Sequence, residues 1–136
     1  MYRHILVPTD GSKLAHKAAV HALLLAKAVG ARITALTVEP NFMSDRMAEI
    51  AKQASAHAES ALKEIGNEAN AAGVPCETVI MTHHSPDEAI LATATEKGCD
   101  IIVMASHGQS GIMSIILGSV TAKVATQATV PVLVYH

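Results

Sequence analysis

A glycine-rich segment in the last third of the chain has the residue types that bind phosphate groups. It runs from Ala105 through Gly108 to Gly111, and Gly118-Ser119 then begins a predicted helix. Glycines let backbone N–H groups approach an anion, and a helix N-terminus adds unpaired N–H groups and the positive end of its dipole. The Ser119 hydroxyl can cap the helix or donate to a phosphate. We therefore predict a phosphate-binding loop that is neither a P-loop nor a dinucleotide-binding motif.

Asp10 follows a predicted strand and is the second candidate for chemistry. It lies in the sequence Thr9-Asp10-Gly11-Ser12, where its carboxylate could hold a metal ion or a sugar hydroxyl. Asp-Gly-Ser is also ordinary turn chemistry, in which the carboxylate accepts a hydrogen bond from a backbone N–H two residues on. The residues by themselves favour the turn over a binding role.

The chain has eight histidines, which raises the question of a metal site, and His83 and His84 are adjacent in the sequence. We expect adjacent residues at a strand end to point to opposite sides, and Asp87 beside them belongs to a helix start, so a solvated loop is predicted instead. His107 lies in the phosphate loop, where it can contact a phosphate or remain an exposed imidazole. Cys76 and Cys99 are far apart in the sequence and are expected to be free, buried thiols.

Strand and helix patterns alternate along the chain and must position these loops. Short apolar runs predict strands, whereas apolar residues at helical spacing between capping signals predict helices. Ser85, Pro86 and Glu88 are the predicted N-cap, first residue and reciprocal capping partner of the third helix. The predicted strands are 4–8, 32–38, 76–81, 100–104 and 130–135; the predicted helices are one between Ser12 and Gly30, then 44–72, 86–97 and 119–128.

This order of elements predicts an α/β fold, an open, doubly wound five-stranded parallel sheet with helices on both faces. Parallel neighbours need crossover connections, and the crossovers here are helices. In such sheets, ligands bind beyond the carboxyl ends of the strands, where the direction of winding reverses. The loops at that edge are 8–12, 38–43, 82–85 and 105–119, so Asp10 and the glycine-rich segment are both expected there.

The composition narrows the class of protein. The chain has 136 residues, a formal charge of −2 and 50% hydrophobic residues, but only two Tyr, one Phe and no Trp. We expect a single domain over residues 1–136 with an aliphatic core. Without clustered Lys and Arg or stacking aromatics, nucleic-acid binding is not expected. The apolar runs are too short for a membrane span and no signal peptide is recognised, which predicts a cytoplasmic protein without a membrane partner.

The spacing of the glycine-rich segment resembles that of the universal stress protein family. Nucleotide-binding members carry Gly, two residues, Gly, nine residues, Gly, then Ser or Thr. This chain has Ala105, Gly108, Gly118 and Ser119 at those positions, so one glycine is replaced by alanine. If that position needs a positive φ, alanine costs about 1 kcal/mol relative to glycine. The resemblance covers the whole length and includes segments 5–12, 106–108, 117–120 and 131–134.

The resemblance implies a sheet in the order 3-2-1-4-5 that binds ATP, with Mg²⁺ or Mn²⁺ bridging the phosphates. It places Asp10 near the ribose and phosphates and Val38 against adenine. Because Trp is absent and Phe42 is the only Phe, an aliphatic adenine pocket that includes Met104 is expected. The predicted binding residues are Pro8, Thr9, Asp10, Val38, Met104, Ala105, Gly108, Gly118, Ser119, Val120 and Thr121.

The resemblance further implies a role in stress response or signalling and a homodimer formed through the last strand, residues 130–135. An unprotected edge strand is prone to pair with another chain. Two alternatives stay open. One is a nucleotide-free interaction protein, since a branch of the family lacks the glycine motif and does not bind ATP. The other is an enzyme that slowly hydrolyses ATP or phosphorylates itself on a hydroxyl such as that of Ser110 or Ser119.

Overall fold

Strands and helices alternate strictly in the computed structural model, which describes residues 1–40, 45–108 and 117–136. Phe42 and Ser110, which the sequence singled out, lie outside the described residues. The strands are β1 (His4–Pro8), β2 (Arg32–Glu39), β3 (Cys76–Thr82), β4 (Ile101–Ala105) and β5 (Val132–Tyr135). The helices are α1 (Lys13–Val29), α2 (Asp45–Ala72), α3 (Pro86–Lys97) and α4 (Ser119–Gln127). The predicted elements are confirmed, with β5 beginning two residues later than expected.

The five strands form one parallel sheet in the order β3-β2-β1-β4-β5. From β1 the chain winds outward to β2 and β3, then returns to β4 on the other side of β1. The predicted order is therefore confirmed, and the direction of winding reverses between β1 and β4. At that point the loops after the two strands diverge and open a crevice at the carboxyl edge of the sheet.

Alternate side chains of each strand pack under different helices. Ile5 and Val7 of β1 belong to a core cluster with α1 and α2, whereas Leu6 belongs to a second cluster with α3 and α4. This alternation follows from the two-residue period of a strand that is covered on both faces. The largest fully buried side chains are aliphatic or Thr, with Ile65 of α2 and Val124 of α4 among them. The expected aliphatic core is confirmed for the described residues.

The ends of α1 follow the sequence signals, whereas the two halves of α2 differ in how they pack. The Ser12 hydroxyl accepts a hydrogen bond from the Ala15 N–H at 3.2 Å, and Gly30 ends α1 with a φ of 75°. The C-terminal half of α2 buries Leu62 and Ile65, whereas Ile50 in its N-terminal half is 64% exposed. Only the later turns of α2 therefore pack on the sheet.

The start of α3 differs from the predicted capping box. Ser85 is the N-cap and Pro86 the first residue, but the Ser85 hydroxyl donates to Asp87 Oδ1 at 2.8 Å. That hydrogen bond, more than any other interaction, lowers the pKa of the Asp87 carboxyl. Glu88 is exposed and turns toward His83 and His84 instead. The predicted role of Glu88 is wrong because the Ser85 N–H, which a reciprocal capping partner would accept, donates to His83 Nδ1 at 2.9 Å instead.

Both edge strands are partly exposed. All four residues of β5 are half-buried, and on β3 the side chain of Ile80 is 49% exposed. Cys99 is buried as expected, whereas Cys76 at the start of β3 is only half-buried, and both thiols are free. Within the described ranges, none of the helices has the length and apolarity that a membrane span requires.

Candidate functional site

A cavity of about 330 Å³ lies at the carboxyl edge of the sheet, where the loops after β1 and β4 diverge. A cavity of this size is at the lower end of the range that holds cofactors and other small molecules. All eleven residues singled out from the sequence line it, from Pro8 in β1 to Thr121 in α4. The lining is Pro8, Thr9, Asp10, Ala15, Leu36, Val38, Pro86, Ile90, Met104, Ala105, His107, Gly108, Gly118, Ser119, Val120 and Thr121.

One wall of the cavity is aliphatic. Leu36 and Val38 come from β2, Met104 from β4 and Ile90 from α3. Leu36, Ile90 and Met104 are buried, whereas Val38 is half-buried at the rim. No Phe, Tyr or Trp is among the described lining residues, so a planar ligand would here lie between alkyl side chains. Ile90 was not predicted from the sequence. It lies on α3, the crossover helix after β3, and only the folded structure shows that this helix borders the cavity.

Asp10 and Gly108 meet across the opening between the β1 and β4 loops. Asp10 Oδ1 accepts a hydrogen bond from the Ser12 N–H at 2.9 Å, so the carboxylate does shape the turn. Its Oδ2 atom lies so close to Gly108 that a Cβ on residue 108 would overlap it. Asp10 is therefore a turn residue, and it also lines the cavity; its binding of a metal ion or a sugar hydroxyl stays a prediction.

The turn that carries Asp10 is held by a hydrogen bond within itself and by contacts from two elements, β2 and α2. The Thr9 hydroxyl accepts from the Gly11 N–H at 3.1 Å, and the Thr37 hydroxyl of β2 donates to the Thr9 carbonyl at 2.6 Å. From α2, His57 Nε2 donates to the Gly11 carbonyl at 2.9 Å. Gly11 has a φ of 84°, and a Cβ there would lie 2.7 Å from the His57 ring. Glycine is thus required on both conformational and steric grounds.

The third position of the glycine motif, Gly118, closes the loop that follows β4. Its N–H donates to the Ser106 carbonyl at 2.7 Å, which joins the two ends of the loop. A Cβ on residue 118 would lie 3.2 Å from His107 Cα and 3.4 Å from the Ser106 carbonyl oxygen. These atoms are backbone and cannot easily move away. The close approach of two backbone segments therefore explains the glycine, rather than an unusual φ.

The N-terminus of α4 forms the polar end of the cavity. Gly118 is the N-cap and has no side chain, so the prediction that Ser119 caps the helix is wrong. Ser119 is the first helical residue and is exposed, which leaves its hydroxyl able to donate to a ligand. The first N–H groups of α4 lack partners within the helix. Thr121 is different, because its buried hydroxyl donates to the Ala105 carbonyl at 2.8 Å and ties α4 to β4.

Ala105 stands where the resembling family has glycine, and the structure accommodates it. It is the last residue of β4, pairs with Tyr135 of β5 and packs beside Ala15 and Ala18 of α1. Among the described residues, a positive φ occurs only at glycines. The strain considered for alanine at this position therefore does not arise.

The electrostatics of the cavity depend on the backbone more than on charged side chains. Asp10 is the one carboxylate among the described lining residues, and that part of the lining contains neither Lys nor Arg. His107 is half-buried, and its Nδ1 lies 3.3 Å from the Gly108 carbonyl oxygen. An anionic ligand would have to be neutralised by backbone N–H groups together with a cation that it brings.

The His83-His84 pair departs from its predicted arrangement. The two rings stack with centroids 4.5 Å apart, and their Nε2 atoms lie 4.0 and 3.7 Å from Glu88 Oε2. The expectation that they point to opposite sides is wrong because β3 ends at Thr82 and the chain turns. Within that turn, His83 Nδ1 accepts the Ser85 N–H at 2.9 Å.

Comparison with known proteins shows which family this chain is similar to. A model of the universal stress protein family matches residues 1–136. The chain is 34% identical over 140 residues to universal stress protein MJ0531 of Methanocaldococcus jannaschii, an alignment that covers 98% of this chain and 82% of that protein. Both similarities extend across the strands and helices that line the cavity.

Two solved structures have the same fold. Universal stress protein UspA from Lactobacillus plantarum has a TM-score of 0.86 at 26% identity, covering 99% of this chain and 98% of that one. A universal stress protein in complex with cAMP has a TM-score of 0.78 at 29% identity, covering 99% of this chain and 97% of that one. The fold is therefore shared with relatives of known structure.

Proposed function

Because this chain belongs to the universal stress protein family, we propose that it binds ATP in the cavity at the carboxyl edge of the sheet and acts in stress signalling. The observation that carries the proposal is the combination, in one cavity, of an aliphatic wall with the N-terminus of α4. An adenine nucleotide has a planar apolar base at one end and phosphates at the other. The two ends of the cavity suit those two chemistries.

The base would lie against Val38 and Met104, with Ile90 behind them. Burying a purine among aliphatic side chains contributes about 25 cal/mol for each Å² of apolar surface removed from water. The solved relative in complex with cAMP, 29% identical to this chain, supports an adenine nucleotide as the ligand class.

The phosphates would lie between Gly108 and the first turn of α4. At both glycines a Cβ would meet protein atoms, Asp10 at Gly108 and the backbone of residues 106 and 107 at Gly118, so glycine keeps this end of the cavity in its present shape. Ser119 would donate its hydroxyl, and the N–H groups of α4 would donate along the helix axis. A Mg²⁺ or Mn²⁺ ion prefers oxygen ligands and would be held by the phosphates and the Asp10 carboxylate. When bound, it supplies the positive charge that the described lining lacks.

Binding, rather than efficient turnover, is the activity proposed. Hydrolysis needs a group that orients water in line with the terminal phosphate. The titratable lining residues that the structure describes are Asp10 and His107, and Asp10 is already engaged with the Ser12 N–H. Occupancy of the site by nucleotide would then be the signal that a partner reads.

The protein is further proposed to form a symmetric homodimer through the β5 edge, over residues 130–135. In the chain by itself, one side of β5 pairs with β4 and the other ends the sheet. Half-buried apolar residues on a strand with a free side favour pairing with a second copy. Light scattering after gel filtration would report a mass near twice 14.2 kDa; a monomer at 100 µM or above would overturn this part of the proposal.

Calorimetric titration of purified protein with ATP, AMP and cAMP, with and without Mg²⁺, tests nucleotide binding. We expect saturable one-to-one binding that Gly118→Val abolishes, because its side chain would meet the His107 and Ser106 backbone. Gly66→Ala in α2 is the matched control, since its Cβ would make an ordinary 3.4 Å contact with Thr78. No saturable binding at millimolar ATP would favour the nucleotide-free interaction protein, and release of ADP far above the background rate would favour the enzyme.

A further inference from the structure

A cluster of metal-ligating side chains lies between α1 and α2, outside the nucleotide cavity. His16 Nε2 on α1 is 3.2 Å from Glu68 Oε1 on α2. Together with Glu64, one turn earlier on α2, these side chains offer three ligand atoms that all lie within 4.8 Å of one another. We propose that His16, Glu64 and Glu68 bind one transition-metal dication of the Zn²⁺ class and thereby join the two helices.

The distances suit a metal of this size. Zn²⁺ bonds to nitrogen and oxygen are about 2.0–2.2 Å, so ligand atoms in a tetrahedral site lie about 3.4 Å apart. The His16–Glu68 separation of 3.2 Å is already close to that value. Glu64 is exposed, so its side chain can rotate to close the remaining gap. A fourth position is left for water, as in zinc sites with three protein ligands.

The chemistry of the three ligands selects the metal. Glu64 and Glu68 are four residues apart on one helix, where like charges repel. A dication between them removes that repulsion and adds a bond to each carboxylate. An imidazole nitrogen favours Zn²⁺, Co²⁺ or Ni²⁺ over Mg²⁺ and Ca²⁺, which prefer sites made of oxygen alone. The side chains of His16 and Glu68 are 33% and 34% exposed, so the site is partly shielded from water yet open to an ion.

A second cluster in the described chain, His83-His84-Glu88, looks similar but is a poorer site. His83 Nδ1 accepts the Ser85 N–H at 2.9 Å, so the neutral ring carries its proton on Nε2, the nitrogen that faces Glu88. A metal bound at Nε2 would leave the proton of the neutral ring on Nδ1, where it would break the hydrogen bond from the Ser85 N–H. The side chains of His84 and Glu88 are 80% and 60% exposed, and ordering them costs conformational entropy. This cluster therefore provides matched control substitutions within the same chain.

The test is titration of metal-free, nucleotide-free protein with Co²⁺ and Zn²⁺. We expect one equivalent to bind, visible absorption bands typical of four- or five-coordinate Co²⁺, and displacement of Co²⁺ by Zn²⁺. His16→Gln and Glu68→Gln should each weaken binding at least about 10-fold, since loss of even an outer-shell partner commonly costs 10- to 100-fold. His84→Gln should leave the affinity unchanged. Melting temperature should rise with Zn²⁺ concentration in the wild type and not in His16→Gln.

Three outcomes would overturn the proposal. The first is the absence of saturable Zn²⁺ binding up to 1 mM, and the second is wild-type affinity in both His16→Gln and Glu68→Gln. The third is loss of binding in Asp10→Asn, which would assign the metal to the nucleotide cavity instead. Melting curves without metal establish that each variant is folded. Because the titration contains no nucleotide, its result does not depend on whether ATP binds.

Discussion

His57 Nε2, on α2, donates a hydrogen bond of 2.9 Å to the backbone carbonyl of Gly11, in the turn between β1 and α1. The His57 ring occupies the space that a side chain on residue 11 would need. The turn also carries Asp10, so a helix that contributes no residue to the described lining of the cavity supports one of its polar groups. His57 acts in this respect as a positioning residue.

His57→Ala should weaken nucleotide binding although His57 does not line the cavity. Without the ring, the turn loses a hydrogen bond worth about 1 kcal/mol and the packing that restrains Asp10. We expect a three- to tenfold rise in the Kd for ATP, measured by calorimetry. His84→Ala, at an exposed histidine, is the control. Equal affinity in His57→Ala and wild type would mean that the turn is held by Thr9 and Thr37 alone.

Gly108→Ala should disturb the site through Asp10. The new methyl group would overlap Asp10 Oδ2, so the carboxylate would have to move away and weaken the hydrogen bond that its Oδ1 accepts from the Ser12 N–H. We expect ATP affinity to fall about tenfold, or about 1.4 kcal/mol. In an Asp10→Ala background the same substitution should have little further effect, because the overlap is gone. Additive losses in the double-mutant cycle would contradict this coupling.

His4 should make the protein less stable in mild acid. It is 6% exposed, its Nε2 lies 2.7 Å from Thr34 Oγ1, and burial, assisted by the charge of Arg32, lowers its pKa. The unfolded chain titrates near the ordinary value of about 6.5. The native state therefore binds fewer protons just below that pH, and stability is lost as pH falls from about 6.5 toward the lowered pKa.

Urea unfolding between pH 7.5 and 5 measures this effect. His4 contributes at most about 1.4 kcal/mol per pH unit to the slope of the unfolding free energy against pH, which is the value for one proton. His4→Gln removes the titrating group and should flatten the profile in this range. Asp87 and Asp100 also have lowered pKa values, but carboxyl groups of this kind act at more acidic pH. An unchanged slope in His4→Gln would assign the pH dependence to other groups.

The two thiols should differ in reactivity. Burial raises the pKa of Cys99 to about 11, so at pH 8 only about one molecule in a thousand carries the reactive thiolate. Burial also raises the pKa of Cys76, but that residue is half-buried on an edge strand. Iodoacetamide at pH 8 should label Cys76 in the native protein and Cys99 only after unfolding, as read by peptide mass spectrometry. Equal labelling rates would indicate that the end of α3 opens readily.

Sequence reasoning succeeded where the determining interactions are local. The capping signals at Ser12 and Gly30 predicted the two ends of α1 correctly. The alternation of strands and helices predicted both the parallel sheet and the edge at which the loops meet. The glycine-rich segment was expected at that same edge, and Gly108 and Gly118 do line the cavity there. Each of these rests on neighbours in sequence or on the regular period of an element.

The errors and omissions depend on contacts between distant or competing groups. His57 is 46 residues from Gly11, and no pattern in the sequence joins them. At the start of α3, only the three-dimensional arrangement decides that the Ser85 hydroxyl donates to Asp87 and that the Ser85 N–H donates to His83 instead of Glu88. His83 and His84 stack because of a turn whose geometry depends on the His83 ring itself.

The described lining of the cavity contains neither Lys nor Arg, and this affects how nucleotide binding would depend on ionic strength. Fixed positive side chains attract phosphates over distances near the Debye length, about 8 Å at physiological salt, and raising the salt concentration weakens that attraction. Backbone N–H groups act only at contact distance and are screened little. The proposed complex should therefore tolerate NaCl well but dissociate when EDTA removes the divalent cation, which would tie occupancy to free Mg²⁺ as closely as to ATP.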